Sequence, residues 1–277
     1  MNMMLSERHN DSSRNPLLIA ATRALIERRK LEEAHDPVML ARRAGLEPDA
    51  WQQDILRSRA RQTIMLVTRQ GGKSTISSIR ALHRAEYAPG SLILLLAPSY
   101  RQSKELFRKV KDAYTAIPNP SKLVSESALE MEFENTSRIV ALPGKEETIR
   151  GFSGVALLIV DEAARVPDAL YQSVRPMLAI SGGSIVLLST PFGKRGFFHH
   201  EWTEGGADWH RTKVTAYDCP RMSREWLEQE RAAIGDWWFR QEYMCEFVET
   251  TDQVFSYDDI MRTLETDVKP LFGGQDA

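Results

Sequence analysis

Short apolar runs alternate with amphipathic stretches through the middle of the chain. Four runs have the uninterrupted apolar pattern of buried strands, and we predict strands at residues 63–68, 92–97, 157–160 and 184–189. Helical patterns separate them, and this alternation is typical of a mostly parallel sheet with helices on both faces. The pattern therefore predicts an α/β fold.

Turn and capping residues add a hairpin and a helix to this sheet. Residues 129–133 and 138–142 flank a polar turn and predict an antiparallel hairpin. Ser99 and Gln102 have the spacing of a capping box, so a helix is expected to begin there.

The pattern changes after residue 216. Residues 223–234 have a charged helical pattern that ends at Gly235, and residues 236–247 form a second pattern rich in aromatic side chains. This pair of helices predicts a small lid subdomain.

Gly72-Lys73-Ser74 lies between the first apolar run and a helical pattern, the usual setting of a loop that grips phosphate groups. The glycines let backbone N–H groups approach polyphosphate oxygens. We expect Lys73 to reach the β and γ phosphates of a nucleoside triphosphate and Ser74 to hold Mg²⁺. Val67 stands where the first glycine of the usual phosphate loop would be. The assignment of Gly72-Lys73-Ser74 as a phosphate loop therefore depends on context from other parts of the sequence.

That context comes from a second strand that ends in two carboxylates. The apolar run at 157–160 precedes Asp161 and Glu162, which is typical of a Walker B strand. Asp161 is expected to hold Mg²⁺ through its water shell, and Glu162 to polarise the water that attacks the γ phosphate. The alternative is a solvated strand end, which the nearby Gly72-Lys73-Ser74 disfavours.

Three weaker signals fit the same site, each with a structural alternative. Gln52 lies about twenty residues before the phosphate loop and could pair with adenine, or it could simply lie on a surface helix. Ser189 and Thr190 end a strand and could sense the γ phosphate, or form an ordinary strand-to-turn junction. Arg150 could act as an arginine finger on a neighbouring subunit, or form a structural salt bridge.

Composition limits the other function classes. The net charge of −2 excludes a globally basic nucleic-acid binder, so any DNA contact must come from local patches or from a ring of subunits. Arg57, Arg59 and Arg61 form one patch. A second patch lies on the helix expected after Ser99 and consists of Arg101, Lys104, Arg108, Lys109 and Lys111. Either patch could also be a solvated surface.

The two cysteines, Cys219 and Cys245, match no disulfide framework or zinc motif, and a reducing compartment fits them. No apolar run approaches the roughly 18 residues that span a bilayer. We therefore expect a soluble, cytosolic protein.

The segment Thr68 to Ser74, with Arg69, Gln70 and Gly71 before Gly72, resembles the phosphate loop of large terminase subunits, the motor ATPases that package DNA into tailed-phage capsids. Residues 48–56 resemble the adenine-binding segment of this family, residues 157–162 its Walker B strand, and residues 189–193 its coupling motif. Residues 237–254 resemble the end of its ATPase region.

The resemblance implies a RecA-like (ASCE) P-loop NTPase that uses ATP and Mg²⁺, with the loop from Gln70 to Thr75 on the nucleotide. It assigns Arg69 as a phosphate contact within the subunit and Arg150 as the finger acting in trans. The implied partners are double-stranded DNA, a portal protein or procapsid, a small terminase subunit and further copies in a ring, without a membrane, in the cytoplasm of the bacterial host.

The same resemblance divides the chain into three parts: a polar, helical extension (1–45), a P-loop ATPase core (46–216), and a lid with a linker stub (217–277). An RNase H-like nuclease domain normally follows in the family, whereas about twenty residues remain after Phe255 against the roughly 100 a domain needs. We expect no nuclease activity from this chain. A helicase-like ATPase and a nucleotide-gated assembly module without turnover are the alternatives.

Overall fold

A computed structural model describes residues 16–143 and 151–249 of the 277-residue chain. The helices in these ranges are α1 Pro16–His35, α2 Pro37–Arg43, α3 Ala50–Arg57, α4 Lys73–Tyr87, α5 Tyr100–Ala116, α6 Asp168–Val174, α7 Gly196–Thr203, α8 Arg224–Ile234 and α9 Asp236–Glu242. The strands are β1 Gln62–Val67, β2 Leu92–Ala97, β3 Leu123–Glu126, β4 Glu130–Phe133, β5 Arg138–Pro143, β6 Val155–Asp161, β7 Ser184–Ser189 and β8 Trp209–Val214.

The strands form a single mixed sheet in the order β3-β4-β5-β2-β6-β7-β1-β8. Pairing is parallel from β5 to β8, and β3 and β4 add an antiparallel extension at one edge. Parallel strands end at the same edge of a sheet, so the loops after β1, β6 and β7 meet there. The predicted α/β fold is confirmed.

Side chains on successive strand positions point to opposite faces, and both faces are covered. Met65 packs with one buried cluster that includes Ile79 of α4 and Phe107 of α5. Leu66 packs with a second cluster that includes Leu170 of α6 and Phe198 of α7. Burial on both faces explains why the central strands read as unbroken apolar runs.

Two strands were not expected from the sequence, and both lie at the sheet edges. β3 is mostly exposed, and β8 carries His210, Arg211 and Lys213 between its buried ends. An edge strand needs fewer apolar side chains, so the apolar pattern that reveals central strands is missing. The predicted hairpin is present as β4 and β5.

The two predicted lid helices are present, but the second is shorter than expected. α8 begins after Ser223, whose hydroxyl accepts from the Trp226 N–H, and ends at Ile234, just before Gly235 with φ 82°. α9 ends at Glu242 rather than at residue 247, and Cys245 beyond it has φ 54°, which no continuing helix would allow. Phe247, beyond α9, packs on the core instead of extending the helix.

The capping residues predicted for the basic helix are confirmed. Ser99 Oγ accepts from the Gln102 N–H at 3.3 Å and donates to Gln102 Oε1 at 2.7 Å, at the start of α5. None of the described helices is both long enough and apolar enough to cross a bilayer.

Both cysteine thiols are buried. Cys245 Sγ donates to the Val214 carbonyl at 3.3 Å, and burial raises the pKa of Cys245 to about 12. Burial also raises the pKa of the Cys219 thiol.

Candidate nucleotide-binding site

The glycine loop joins the carboxyl end of β1 to the start of α4. A side chain at Gly71 would place its Cβ 2.7 Å from Val67 Cγ1 and 3.2 Å from the Thr68 carbonyl, so only glycine fits. Gly72 has φ 91° and immediately precedes α4. This geometry turns the chain sharply and aims the first N–H groups of α4 out of the sheet edge, where an anion can accept from them.

The loop forms one wall of a cavity of about 480 Å³. The opposite wall comes from α5 and from the segment after β6. The lining residues are Arg69, Gln70, Gly71, Gly72, Lys73, Ser74, Thr75, Gln102, Lys109, Glu162 and Arg165. The sequence suggested Lys109 only as part of a basic helix surface, and the fold brings it to the phosphate loop.

Lys73 and Glu162 meet across this cavity. The Lys73 side chain is buried, and its Nζ lies 3.5 Å from Glu162 Oε1. Glu162 has a left-handed backbone, φ 51°, which is uncommon for a residue other than glycine. The other carboxylate oxygen of Glu162 accepts from Arg165 Nη1 at 3.0 Å. Two cations therefore hold the candidate general base.

Asp161 lies at the end of β6 with a buried carboxylate. Burial raises the pKa of Asp161, while the charge of Lys73 and a hydrogen bond with the Ser74 side chain act in the opposite direction. Asp161 Oδ1 also accepts from the Glu162 N–H at 2.9 Å. Ser74 and Asp161 thus offer a neighbouring hydroxyl and carboxylate.

This donor pair fits Mg²⁺, which takes hard oxygen ligands and keeps several waters and phosphate oxygens in its shell. In residues 16–143 and 151–249 no group of three or more His, Cys, Asp or Glu side chains could hold a metal ion. A metal that depends on phosphate ligands needs no such group.

Ser189 and Thr190 lie at the end of β7, which runs between β6 and β1. Leu188 is opposite Asp161, and Ser189 is opposite Leu66. Ser189 Oγ is buried with no hydrogen-bond partner among the described residues, and Thr190 Oγ1 accepts from Arg165 Nη1 at 3.4 Å. The predicted coupling residues therefore lie beside the Walker B strand.

The buried Glu242 carboxylate of α9 connects the lid to this site, and sequence reasoning missed it. Glu242 Oε2 accepts from Arg69 Nε at 2.6 Å, and Oε1 lies 3.5 Å from Arg165 Nη2. The Glu242 carbonyl accepts from the Arg69 N–H and from Thr68 Oγ1, both at 3.2 Å. The only sequence signal was the match of this segment to the end of the family's ATPase region.

Arg165 is the second residue that the sequence did not reveal. It lies in a short 3₁₀ turn, Ala163–Arg165, and contacts Glu162, Thr190 and Glu242. Its guanidinium also stacks on the Phe192 ring, with Cζ 4.8 Å from the ring centroid. One cation thus touches the Walker B acid, the coupling strand and the lid.

Gln52 lies beneath the phosphate loop, on α3. Its Oε1 accepts from the Asp49 N–H at 2.9 Å, and its Nε2 donates to the Gly71 carbonyl at 3.4 Å. The amide therefore supports the loop, and its contact with adenine stays a prediction. Arg150, the expected finger, lies outside the described residues.

A glycine loop before a buried lysine, with an Asp-Glu pair on a nearby parallel strand, defines the class of this protein as a P-loop NTPase. Residues 64–262 match the family model described as terminase large subunit, T4likevirus-type, N-terminal. The chain belongs to this family.

Curated relatives agree with this assignment. The terminase large subunit of Thermus phage G20c is 27% identical over 253 residues, covering 78% of this chain and 52% of the relative. That of Escherichia phage T5 is 25% identical over 223 residues, covering 76% and 50%. The chain spans about half the length of these relatives.

Solved structures show the same fold. The large terminase ATPase domain of Thermus phage P74-26 aligns with a TM-score of 0.65 at 25% identity, covering 75% of this chain and 97% of that chain. The large terminase of a thermophilic bacteriophage in complex with ADP aligns with a TM-score of 0.58 at 13% identity, covering 72% and 53%.

Proposed function

We propose that the chain is the ATP-hydrolysing motor region of a phage DNA-packaging terminase. The observation that carries this proposal is the 3.5 Å approach of Lys73 Nζ to Glu162 Oε1 inside one cavity. The phosphate-binding cation and the candidate general base are thus close enough to act on one γ phosphate. Membership of the terminase family and the ADP bound to the large terminase of the thermophilic bacteriophage support the same function.

The loop N–H groups and Lys73 would hold the triphosphate, and Lys73 would neutralise charge on the β and γ phosphates. Ser74 and Asp161 would hold Mg²⁺, which would supply positive charge against the phosphates. Arg69 and Lys109 supply further positive charge at the cavity wall.

Glu162 would act as the general base. Its carboxylate accepts a proton from water as the water oxygen bonds to the γ phosphorus, and the bond to the β,γ-bridging oxygen breaks to release ADP and phosphate. Before the reaction, the carboxylate contacts Lys73 and Arg165. Binding of the triphosphate would draw Lys73 onto phosphate oxygens and release Glu162 Oε1 to orient water, while Arg165 keeps its contact with Oε2.

Arg165 would report the state of the γ phosphate to the rest of the molecule, because it joins Glu162 to Thr190 and Glu242. By the family resemblance, Arg150 would complete the neighbour's site in a ring. The full motor would act on double-stranded DNA with a portal protein and a small terminase subunit, in the bacterial cytoplasm. The presence of Glu162 favours turnover over a nucleotide-gated assembly module.

Replacing Lys73 tests the proposal. Lys73→Ala should lower the rate of ATP hydrolysis by about a hundredfold to a thousandfold, since it removes one preorganised charge from the phosphates. The matched control is Lys104→Ala, an exposed lysine on α5 outside the cavity. Hydrolysis is measured by phosphate release, and folding by circular dichroism. A folded Lys73→Ala protein with wild-type turnover would contradict the site.

A further inference from the structure

A second, positively charged cleft lies at the opposite edge of the sheet from the nucleotide cavity. It has a volume of about 310 Å³ and is bounded by the starts of β6 and β7, the segment before β1, and α4. The basic residues that line it are His35, Arg57, Arg59, Arg80, His83 and Arg84, and none of its lining residues is an aspartate or glutamate.

Arg80 is the innermost of these cations and contacts only neutral oxygen atoms. Its Nη1 lies 3.4 Å from the Ile55 carbonyl and 3.3 Å from Thr63 Oγ1, and its Nη2 lies 3.4 Å from the Ala60 carbonyl. Burial and the charge of Arg84 lower the pKa of Arg80 to about 10. A part-buried cation with no carboxylate bonded to it favours an anion from outside the chain.

Two of the rim arginines have no counter-charge among the residues that the structure describes. The exposed side chains of Arg59 and Arg84 make no hydrogen bond or ion pair with other residues in the described part of the chain. Arg57 differs, because Asp36 Oδ2 lies 2.8 Å from its Nη2. His83 Nε2 lies 2.8 Å from the Glu33 carbonyl oxygen, and burial lowers the pKa of the His83 ring.

The basic surface of α5 is partly neutralised by its own acids. On α5, Arg108 pairs with Glu105 and Asp112, and Lys111 pairs with Glu126 of β3. In contrast, Arg59, Arg80 and Arg84 have no acidic partner among the described residues and line one cleft. The cleft therefore suits a multiply charged anion better than the α5 surface does.

We propose that this cleft, which we call the arginine cleft, binds backbone phosphates of DNA. The planar guanidinium offers paired N–H donors that match phosphate oxygens. The exposed arginines at the rim allow an extended polyanion to approach, and the chain's net charge of −2 makes a local cationic site necessary for DNA. This inference rests on the proposed packaging function for its choice of DNA.

The arginine cleft and the phosphate loop share one helix. α4 begins at Lys73 in the loop and carries Arg80 and Arg84 two to three turns later. At 1.5 Å per residue, Arg80 lies about 10 Å along the helix from Lys73. A DNA phosphate in the cleft would therefore contact the same rigid element as the triphosphate.

The test is a double substitution at the rim, Arg59→Gln with Arg84→Gln. Arg80 is left unchanged because it also satisfies carbonyl groups at the end of α3. The control is Arg101→Gln with Lys104→Gln, which removes two exposed positive charges from α5 outside the cleft. Binding of a fluorescein-labelled 30-base-pair duplex is measured by anisotropy over a series of salt concentrations.

The rim variant should bind the duplex roughly tenfold more weakly, and the slope of log affinity against log salt should fall by about two units, one for each lost phosphate contact. In the control variant, the loss of duplex affinity and the change in salt slope should each be less than half of those in the rim variant. Equal losses in the two variants, or no loss in the rim variant, would overturn DNA binding in the cleft.

The alternative occupant of the arginine cleft is a free phosphate ion, and inorganic phosphate is the probe for it. Phosphate binding is measured by calorimetry in proteins that also carry Lys73→Ala. Rim substitutions that weaken phosphate binding but leave duplex affinity unchanged would overturn DNA as the occupant. Nucleotide binding is followed separately with a fluorescent ATP analogue. If the rim variant loses duplex affinity, DNA binding in the arginine cleft is supported even when the wild type binds no ATP. If the rim variant keeps its duplex affinity, DNA binding in the cleft is wrong even when the wild type binds the nucleotide.

Discussion

At the scale of single residues, Glu162 is the point where the site's contacts converge. Lys73 and Arg165 contact different oxygens of its carboxylate, at 3.5 Å and 3.0 Å. A general base in this position must keep its negative charge and still be free to orient water.

Glu162→Gln should therefore keep ATP affinity but lower hydrolysis by about a hundredfold or more, because the proposed ligands of the phosphates and Mg²⁺, Lys73, Ser74 and Asp161, are unchanged. Affinity is measured with a fluorescent ATP analogue, and turnover by phosphate release. Glu225→Gln on the exposed face of α8 serves as the control. An equal loss of affinity and turnover would show that Glu162 serves binding rather than catalysis.

Residues adjacent in sequence could be assigned to the site before the fold was known. Lys73 with Ser74, and Asp161 with Glu162, belong to local motifs whose geometry is fixed by a strand and the turn after it. Glu242 could not be found in this way, because it lies 173 residues from Arg69 and meets it only through the packing of α9.

At the scale of elements, burial decided which strands the sequence could reveal. β1, β2, β6 and β7 are covered on both faces and consist of apolar runs. β8 pairs with β1 at the edge of the sheet and exposes several polar side chains, so neither alternation nor an apolar run marks it. Its position depends on tertiary pairing.

α9 contacts the core through Glu242, and Glu242→Gln should weaken that contact. It removes the charge that pairs with Arg69 and Arg165 and should lower the free energy of unfolding by about 1–3 kcal/mol, as expected for a part-buried charged hydrogen bond. Urea unfolding measures the loss.

The matched control is Glu246→Gln, which removes an exposed partner of Arg240 and should cost less than about 1 kcal/mol. If Glu242→Gln is no more destabilising than the control, the Glu242 contact does not hold the lid.

At the scale of the whole molecule, the family and the α/β architecture were evident from sequence, while the assembled motor remains a proposal. The chain supplies a nucleotide cavity, and the predicted trans-acting Arg150 requires a second subunit. Complementation between defective subunits can detect such sharing.

Arg150→Ala and Glu162→Gln proteins should each be inactive in assembly-dependent hydrolysis, and an equimolar mixture should recover part of the activity. Some mixed interfaces then pair an intact site with an intact finger. The activity of the mixture is compared with that of each variant at the same total concentration, and light scattering confirms assembly. A mixture that assembles without gaining activity would contradict the trans role.

The buried thiols described above give the chain a practical property. Its only two cysteines are Cys219 and Cys245, and both have raised pKa values, so little reactive thiolate is presented to solvent. A cysteine introduced at an exposed lid position, for example by Trp238→Cys, should react with a maleimide dye much faster than the two native cysteines. A dye at this position would test by fluorescence whether the surroundings of the lid change during ATP turnover, without first removing the native cysteines.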